Sequence, residues 1–285
     1  MARILLVDGT FELYRAHYSP RPSRVTAQGR DVKATHGVLG SMRMLLEEHD
    51  GHDVHVAIAF DNPIRSFRND LFAGYKSDDG VPPELRSQFD LVEEATRALG
   101  LVTWSMNEFE ADDAIGTAAA RWAGQGHEIH ILSPDKDMGQ CLQSADITQT
   151  DRIRKTTWGT AGVRAKLGVE PAQVPDYLAL VGDPQDGIPG LSGYGPKTAA
   201  ALLGEFATID AIPADAARWP KAIRGRDRLA LLLAQEREAV RLYRTLATLR
   251  TDVPLAETLP QLRYRGPDIA ALAVVRGKLE AAPQP

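Results

Sequence analysis

Ile4-Leu5-Leu6-Val7-Asp8-Gly9 is four apolar residues closed by an acid and a glycine. The same logic returns at Val54–Phe60 followed by Asp61, and at Ile129–Leu132 with Asp135 three residues on. Apolar runs of this length, bounded by turn formers, fit strands buried on both faces, and Leu101–Trp104 is a fourth. Between them, Gly37–Glu48, Glu84–Leu99 and Ala111–Gly124 carry apolar residues three and four apart, the spacing of one helix face. The alternation predicts an α/β fold over residues 1–170, a central, mostly parallel sheet flanked by helices. From Pro171 the strands thin out. Pro175–Val181, Lys197–Glu205 and Asp227–Leu249 read as helices separated by Pro and Gly, which makes 171–285 a smaller helical subdomain. The connection Asn62–Pro83 is long and polar, a pattern that in compact domains marks a functional or mobile segment. There is no internal repeat, and the one biased stretch is the tail Ala281–Pro285.

The chain has 285 residues, a formal net charge of -5, 44% hydrophobic and 25% charged residues, a balance that excludes disorder and suits about two domains. No stretch approaches the ~18 consecutive apolar residues of a membrane span. The run after Met1-Ala2-Arg3 is too short for a signal segment, so neither a membrane nor a targeting role is expected. The single cysteine, Cys141, cannot form an internal disulfide, which fits a reducing cytoplasm. An acidic balance argues against a nucleic-acid partner unless many carboxylates are gathered to hold metal ions.

Their distribution supports that exception. In an open α/β sheet, ligands bind beyond the carboxyl ends of the strands, where Asp8, Asp61, Asp135 and Asp137 fall. Phe109-Glu110-Ala111-Asp112-Asp113 opens a helix with Glu110 and Asp113 one turn apart, and Gly182-Asp183-Pro184-Gln185-Asp186-Gly187 adds two more acids. Each alone has an ordinary reading, as a turn former, a cap or a complement to the helix dipole. Nine carboxylates at five element ends make coincidental capping a poor account. Like charges ~4 Å apart at an effective dielectric of ~20 repel by roughly 4 kcal/mol, so such a cluster needs cations. Oxygen ligands without His or Cys select Mg²⁺ or Mn²⁺. Without these nine negatives the formal -5 becomes +4, and the acidity no longer argues against DNA.

Gly190-Leu191-Ser192-Gly193-Tyr194-Gly195-Pro196-Lys197-Thr198 has the look of a phosphate-binding loop, but Pro196 splits the Gly-Lys pair and a helix, not a strand, precedes it. What remains is a tight turn between helices whose free N–H groups, with Lys197 beside them, suit a phosphate of a nucleic-acid backbone; the ordinary reading is a helix connection with a solvated lysine. Arg65, Arg68, Tyr75 and Lys76 in the long connection, and Arg86 after it, offer cations for a phosphoryl group and an aromatic for a base, though Asp70, Asp78, Asp79 and Glu84 offset them. His49, His52 and His55 read as surface histidines.

Taken in order, Leu6-Val7-Asp8-Gly9, Phe60-Asp61, Phe67-Arg68 with Tyr75-Lys76, Glu110-Ala111-Asp112-Asp113, Asp135-Lys136-Asp137-Met138, Gly182-Asp183 with Asp186, and Gly190–Thr198 resemble the bacterial 5′-nuclease family. That family includes the 5′–3′ exonuclease domain of DNA polymerase I and the phage and cellular flap endonucleases. The likeness runs from residue 4 to about 253, and with no polymerase following, the chain looks like a stand-alone member. It implies a PIN-like nuclease core with a helical arch at about 62–90 and a helix-two-turn-helix at about 182–204. The activity it implies is metal-dependent hydrolysis of DNA phosphodiesters at single-strand/duplex junctions, as 5′–3′ exonuclease or flap endonuclease, in replication and repair.

By the same resemblance, Asp8, Asp61, Glu110, Asp112, Asp113, Asp135, Asp137, Asp183 and Asp186 hold two or more divalent ions, with Asp113 and Asp135 closest to the chemistry. Lys76 and Arg68 match cations at the scissile phosphate, and Tyr75 a stacking aromatic; Ser77-Asp78-Asp79 stands where the family has a basic residue shortly after its Tyr-Lys pair, which implies either a weaker grip on single strands or Arg86 or Arg65 in its place. Gly190, Gly193, Gly195, Lys197 and Thr198 grip duplex backbone, with K⁺ on their carbonyls. Expected partners are branched or 5′-flapped DNA, RNA primer–DNA hybrids and a DNA polymerase in trans, in the cytoplasm at the nucleoid. Gly187 departs from the family's Asn and is expected to loosen the turn after Asp186.

Two rivals remain: an acidic-cluster ribonuclease, which would lack the turn at Gly190–Thr198, and a junction-binding protein without activity, which would gain nothing from nine negatives beside phosphates. The role given to Lys197 is testable. Lys197→Ala is expected to weaken duplex binding across all sequences and lower the salt slope of binding by about one unit, measured by anisotropy over a KCl series. A base-specific effect contradicts a phosphate contact.

Overall fold

The computed structural model describes residues 1–280, and the tail Ala281–Pro285 lies outside them. The chain forms two compact units that interleave along the sequence. Unit 1 comprises Met1–Ser66, Asp78–Ser133 and Thr251 onward, and unit 2 comprises Phe67–Ser77 and Pro134–Arg250. Among the described residues no helix is long and apolar enough to cross a membrane.

Unit 1 is built on four parallel strands, β1 (Arg3–Asp8), β2 (Val54–Asp61), β3 (Val102–Met106) and β4 (Glu128–Leu132), side by side in the order β3-β2-β1-β4. All eight residues of β2 are buried, which is why Val56–Phe60 within it is continuously apolar rather than alternating. The register sets Val7 against both Ile58 and Leu132, and Asp8 opposite Ala59, so the carboxyl ends of the strands come level.

Helices cover the sheet. Lys33–Glu48 and Phe89–Ala98 bury Val38, Met42, Phe89 and Val92 in one core with Leu5, Val7, Val56 and Ile58. The helix expected over Glu84–Leu99 is two, Pro83–Arg86 and Phe89–Ala98. At the break, fully buried Gln88 accepts from the Thr35 N–H and hydroxyl at 3.0 and 3.2 Å and donates to the Glu84 carbonyl at 2.9 Å. A further helix, Gly9–His17, follows β1 directly where the sequence reads as a turn. Residues after Thr251 return to this unit: Tyr264 N–H reaches Val54 O at 2.9 Å, and the helix Ile269–Leu279 adds Leu272, Val275 and Leu279 to the same core.

Unit 2 holds an antiparallel hairpin, β5 (Ile147–Asp151) and β6 (Thr156–Trp158), with Gln149 opposite Trp158. Its strands are short and half polar, so the apolar-run criterion passes over them. Helices follow at Thr160–Leu167, Val174–Val181 and Pro196–Phe206. The long helix expected over Asp227–Leu249 divides at Glu236 into Arg226–Gln235 and Arg237–Ala247. Gln140 pins the end of the second, donating to Ala247 O at 3.1 Å and accepting from Leu249 N–H at 2.9 Å.

Candidate active site

In unit 1 the expected carboxylates sit where β1, β2 and the helix Ala111–Trp122 end or begin, and Asp8, Asp61, Glu110 and Asp113 are each engaged by a nearby donor. Asp8 Oδ1 caps the helix after β1, accepting from Phe11 N–H at 2.8 Å, while its Oδ2 accepts from Ser133 Oγ at 2.8 Å. Asp61 Oδ1 accepts from Ala111 N–H at 2.7 Å, tying the end of β2 to the start of that helix. Glu110 and Asp113 form a reciprocal capping box, with Asp113 Oδ2 on Glu110 N–H at 3.0 Å, and Ser66 Oγ donates to Glu110 Oε1 at 2.6 Å. Asp113 is fully buried, whereas Asp112 is half-buried on the next helix position. The capping reading therefore holds for Asp8, Glu110 and Asp113, which shape the ends of their elements. Arg86 is engaged within unit 1, with Asp78 at 3.5 Å and Asn62 Oδ1 at 3.1 Å.

In unit 2 the loop after Ser133 supplies Asp135, Lys136 and Asp137, and the turn after Val174–Val181 supplies Asp183 and Asp186. Lys136 Nζ lies 2.9 Å from Asp183 Oδ2, and Lys76 Nζ lies 3.0 Å from Asp186 Oδ1. Lys76 N–H also donates to Asp186 O at 3.0 Å. Asp137 is buried and its Oδ1 has no hydrogen-bond partner. Burial, then the neighbouring carboxylates Asp135 and Asp186, push the Asp137 carboxyl well above its ordinary value; Lys76 pulls it the other way and Asp183 adds to the rise. Burial works against the charge on Lys136, yet the hydrogen bond and attraction from Asp183, with Asp135 and Asp137, raise its pKa overall. Lys136 and Ser133 were not singled out from sequence; the signal for Lys136 is a lysine flanked on both sides by aspartates that need neutralising.

Gly187 does not loosen the turn. It adopts φ +75°, and a Cβ there would stand 2.1 Å from Gly74 O, so only glycine lets the 74–76 backbone come close enough for Lys76 to meet Asp186. Asp183 and Ile188 close the turn with paired backbone hydrogen bonds of 2.8 Å.

Arg68 is 1% exposed. Its Nε and Nη2 donate to the carbonyls of Leu246 and Thr248 at 2.8 and 2.9 Å, and its guanidinium lies 4.7 Å from the Phe67 ring. This cation thus fastens the segment carrying Tyr75 and Lys76 to the end of the helix Arg237–Ala247. Tyr75 is 5% exposed, with Lys76 Nζ 5.7 Å from its ring centre. In the Gly-rich turn, Gly195 precedes the helix opened by Pro196 and its carbonyl accepts from Thr198 and Ala199 N–H, both at 3.0 Å. Lys197 is exposed, with no ion pair among the described residues.

A family model described as the 5′–3′ exonuclease N-terminal resolvase-like domain matches residues 3–168, and one for its C-terminal SAM fold matches 169–270. The chain belongs to the 5′–3′ exonuclease family. It is 29% identical to a 5′–3′ exonuclease of Aquifex aeolicus, covering 98% of this chain and 93% of that one. It is 34% identical to DNA polymerase I of Bacillus caldotenax and 36% identical to that of Pseudomonas aeruginosa, spanning 30% of the length of each. In fold it is similar to T5 5′-exonuclease with zinc bound, at a TM-score of 0.66, 15% identity and coverage of 98% of this chain and all of that one. It is also similar to the catalytic core of Rad2 in complex with DNA substrate, at a TM-score of 0.63, 14% identity, and coverage of 97% and 86%.

Members of this family are metal-dependent nucleases, and the donor set here fits hard cations. Every expected ligand is an oxygen, and buried Asp137 Oδ1 lacks a donor. Among the described residues no three Asp, Glu, His or Cys side chains form a ready-made cage.

Without metal, Asp137 makes stability depend on pH with a definite sign. Its folded pKa lies above the unfolded value, so within that window the fold holds a proton that the unfolded chain releases, and stability falls as pH climbs through it. In EDTA at neutral pH, Asp137→Asn is expected to raise the urea midpoint, because a neutral amide no longer has to be charged or protonated in that buried place. Mg²⁺ should stabilise the wild type and not the variant. A variant less stable than wild type in EDTA would contradict this account of the group.

Proposed function

We propose that the chain hydrolyses DNA phosphodiesters at single-strand/duplex junctions, releasing 5′ flaps or short 5′ fragments in replication and repair. The observation that carries the reading is Asp137, a buried carboxylate with one oxygen unpartnered, under the influence of Asp135, Asp183, Asp186 and Lys76. A chain gains nothing from assembling these groups unless a cation and a phosphate are to meet there.

In this reading Asp135, Asp137, Asp183 and Asp186, with Asp8, Asp61, Glu110, Asp112 and Asp113, hold Mg²⁺ or Mn²⁺ directly or through water. Divalent ions so bound supply a water of lowered pKa and positive charge for the phosphoryl oxygens during in-line displacement. The side chains do the rest. Lys76, held by Asp186 and resting near Tyr75, presents its ammonium to the scissile phosphate, and Tyr75 offers its ring to an unpaired base. Arg68, bonded to the Leu246 and Thr248 carbonyls, positions this segment rather than touching substrate. Asp113 and Glu110 keep the helix start in place through their capping box.

The turn Gly190–Thr198 grips duplex backbone, with Lys197 on a phosphate and K⁺ on the turn's carbonyls. Residues 62–90 serve the free 5′ end, with Arg86 released from Asp78 when a phosphate competes for it. The two family-model matches meet at residues 168 and 169, which supports placing the nuclease core in 1–170 and the DNA-binding subdomain in 171–285. RNA primer–DNA hybrids are further substrates on this reading, and a polymerase acts in trans on the gap left behind.

The test is cleavage of a 5′-flap duplex labelled at each end in turn, with Mg²⁺ or Mn²⁺ and with EDTA. Metal-dependent cutting at the junction is expected, and Lys76→Ala should slow the single-turnover step by ~10²-fold, the usual cost of losing one donor to developing charge. Binding without cutting would leave the chain a junction-binding protein.

A further inference from the structure

Residues 216–228 carry five cations, Arg218, Lys221, Arg224, Arg226 and Arg228, against the single carboxylate Asp227. Several cations elsewhere in the same unit are neutralised: Arg164 lies 2.6 Å from Glu170, Arg241 3.0 Å from Asp210 and Arg244 2.7 Å from Asp210. Arg218, Lys221 and Arg224 are exposed and have no carboxylate partner among the described residues. The loop that bears them is nonetheless fixed. Trp219 is 2% exposed and donates its indole N–H to Pro213 O at 2.8 Å, while Ile223 is buried and its N–H closes a turn on Pro220 O at 3.0 Å. Buried anchors at 219 and 223 hold the cations at 218, 221 and 224 outward, at three-residue spacing.

The same loop is welded to the Gly-rich turn. Tyr194, 3% exposed, donates its hydroxyl to Leu229 O at 2.8 Å, and its ring stands edge-on to Trp219 with centroids 6.5 Å apart. Gly193 has φ +86°, the left-handed region that favours glycine, and the Arg228 guanidinium lies over it, with Nη2 2.7 Å from where a Cβ would stand. Turn and loop form one rigid, positively charged platform within unit 2.

We propose that Arg218, Lys221 and Arg224 are a second phosphate-contacting site, which extends the grip of the Gly190–Thr198 turn along the backbone of the duplex arm. This rests on reading the chain as a nuclease of branched DNA. Unpaired cations are tolerated in solvent, but three held at fixed spacing beside a phosphate-binding turn match a polyanion with regularly spaced charges better than they match solvent.

The triple variant Arg218→Gln, Lys221→Gln, Arg224→Gln leaves every buried contact in place, and an unchanged urea midpoint verifies its fold. Binding is followed by anisotropy in EDTA, so that it is read without cleavage, for a 5′-flap duplex and a single strand of the same length across a KCl series. Each phosphate contact contributes about 0.9 to the salt slope, so the slope for the duplex is expected to fall by about two to three units while that for the single strand changes little. Arg224→Glu should weaken duplex binding more than Arg224→Gln. An unchanged duplex slope, or an equal fall on both ligands, overturns the site. Wild-type protein that binds the flap in this assay but never cuts it with Mg²⁺ fails the nuclease reading and leaves this binding site standing.

Discussion

The burial of Asp137 is the constraint on which unit 2 is organised. A carboxylate out of water with an unpartnered oxygen is costly, and nearby Asp135, Asp183 and Asp186 make it costlier. Much of the surrounding structure answers that cost. Lys136 is drawn onto Asp183, Lys76 onto Asp186, and Gly187 lets the Lys76 backbone approach. Arg68 then anchors the segment that brings Lys76 there. The remaining negative charge is what a divalent ion neutralises, so stability without metal gives way to a site that works with it.

Unit 1 solves a related problem differently. Its acids stand at the carboxyl ends of parallel strands and at a helix N-terminus, where N–H and hydroxyl donors are abundant, and Asp8 finds a donor for each oxygen. Such acids are tolerable before any ion arrives.

The elements legible in the sequence were those with one dominant signal. The four parallel strands were plain because each centres on a short, mostly apolar run bounded by turn formers, and the site acids because they follow those strands or open helices. Short elements with mixed signals were not legible. β5 and β6 are half polar, and the Gly9–His17 helix begins on a glycine that reads as a turn. The breaks at Gln88 and Glu236 interrupt sound helical periodicity; at Gln88 the cause is a buried side chain bonding backbone from 53 residues away, which no local pattern encodes. Among the site residues, Lys76 was readable from its motif, but the buried anchoring of Arg68 and the pairing of Arg86 with Asp78 depend on contacts distant in sequence or on one choice among many nearby acids.

The claim at the centre of this account is that the unpartnered oxygen of Asp137 exists for a divalent ion. Anomalous scattering from crystals grown with Mn²⁺ tests it directly. The account predicts a peak within ~2–2.5 Å of Asp137 Oδ1, with other neighbours that are carboxylate oxygens or waters. An occupied Mn²⁺ elsewhere, with Asp137 Oδ1 instead satisfied by a protein donor, would contradict it.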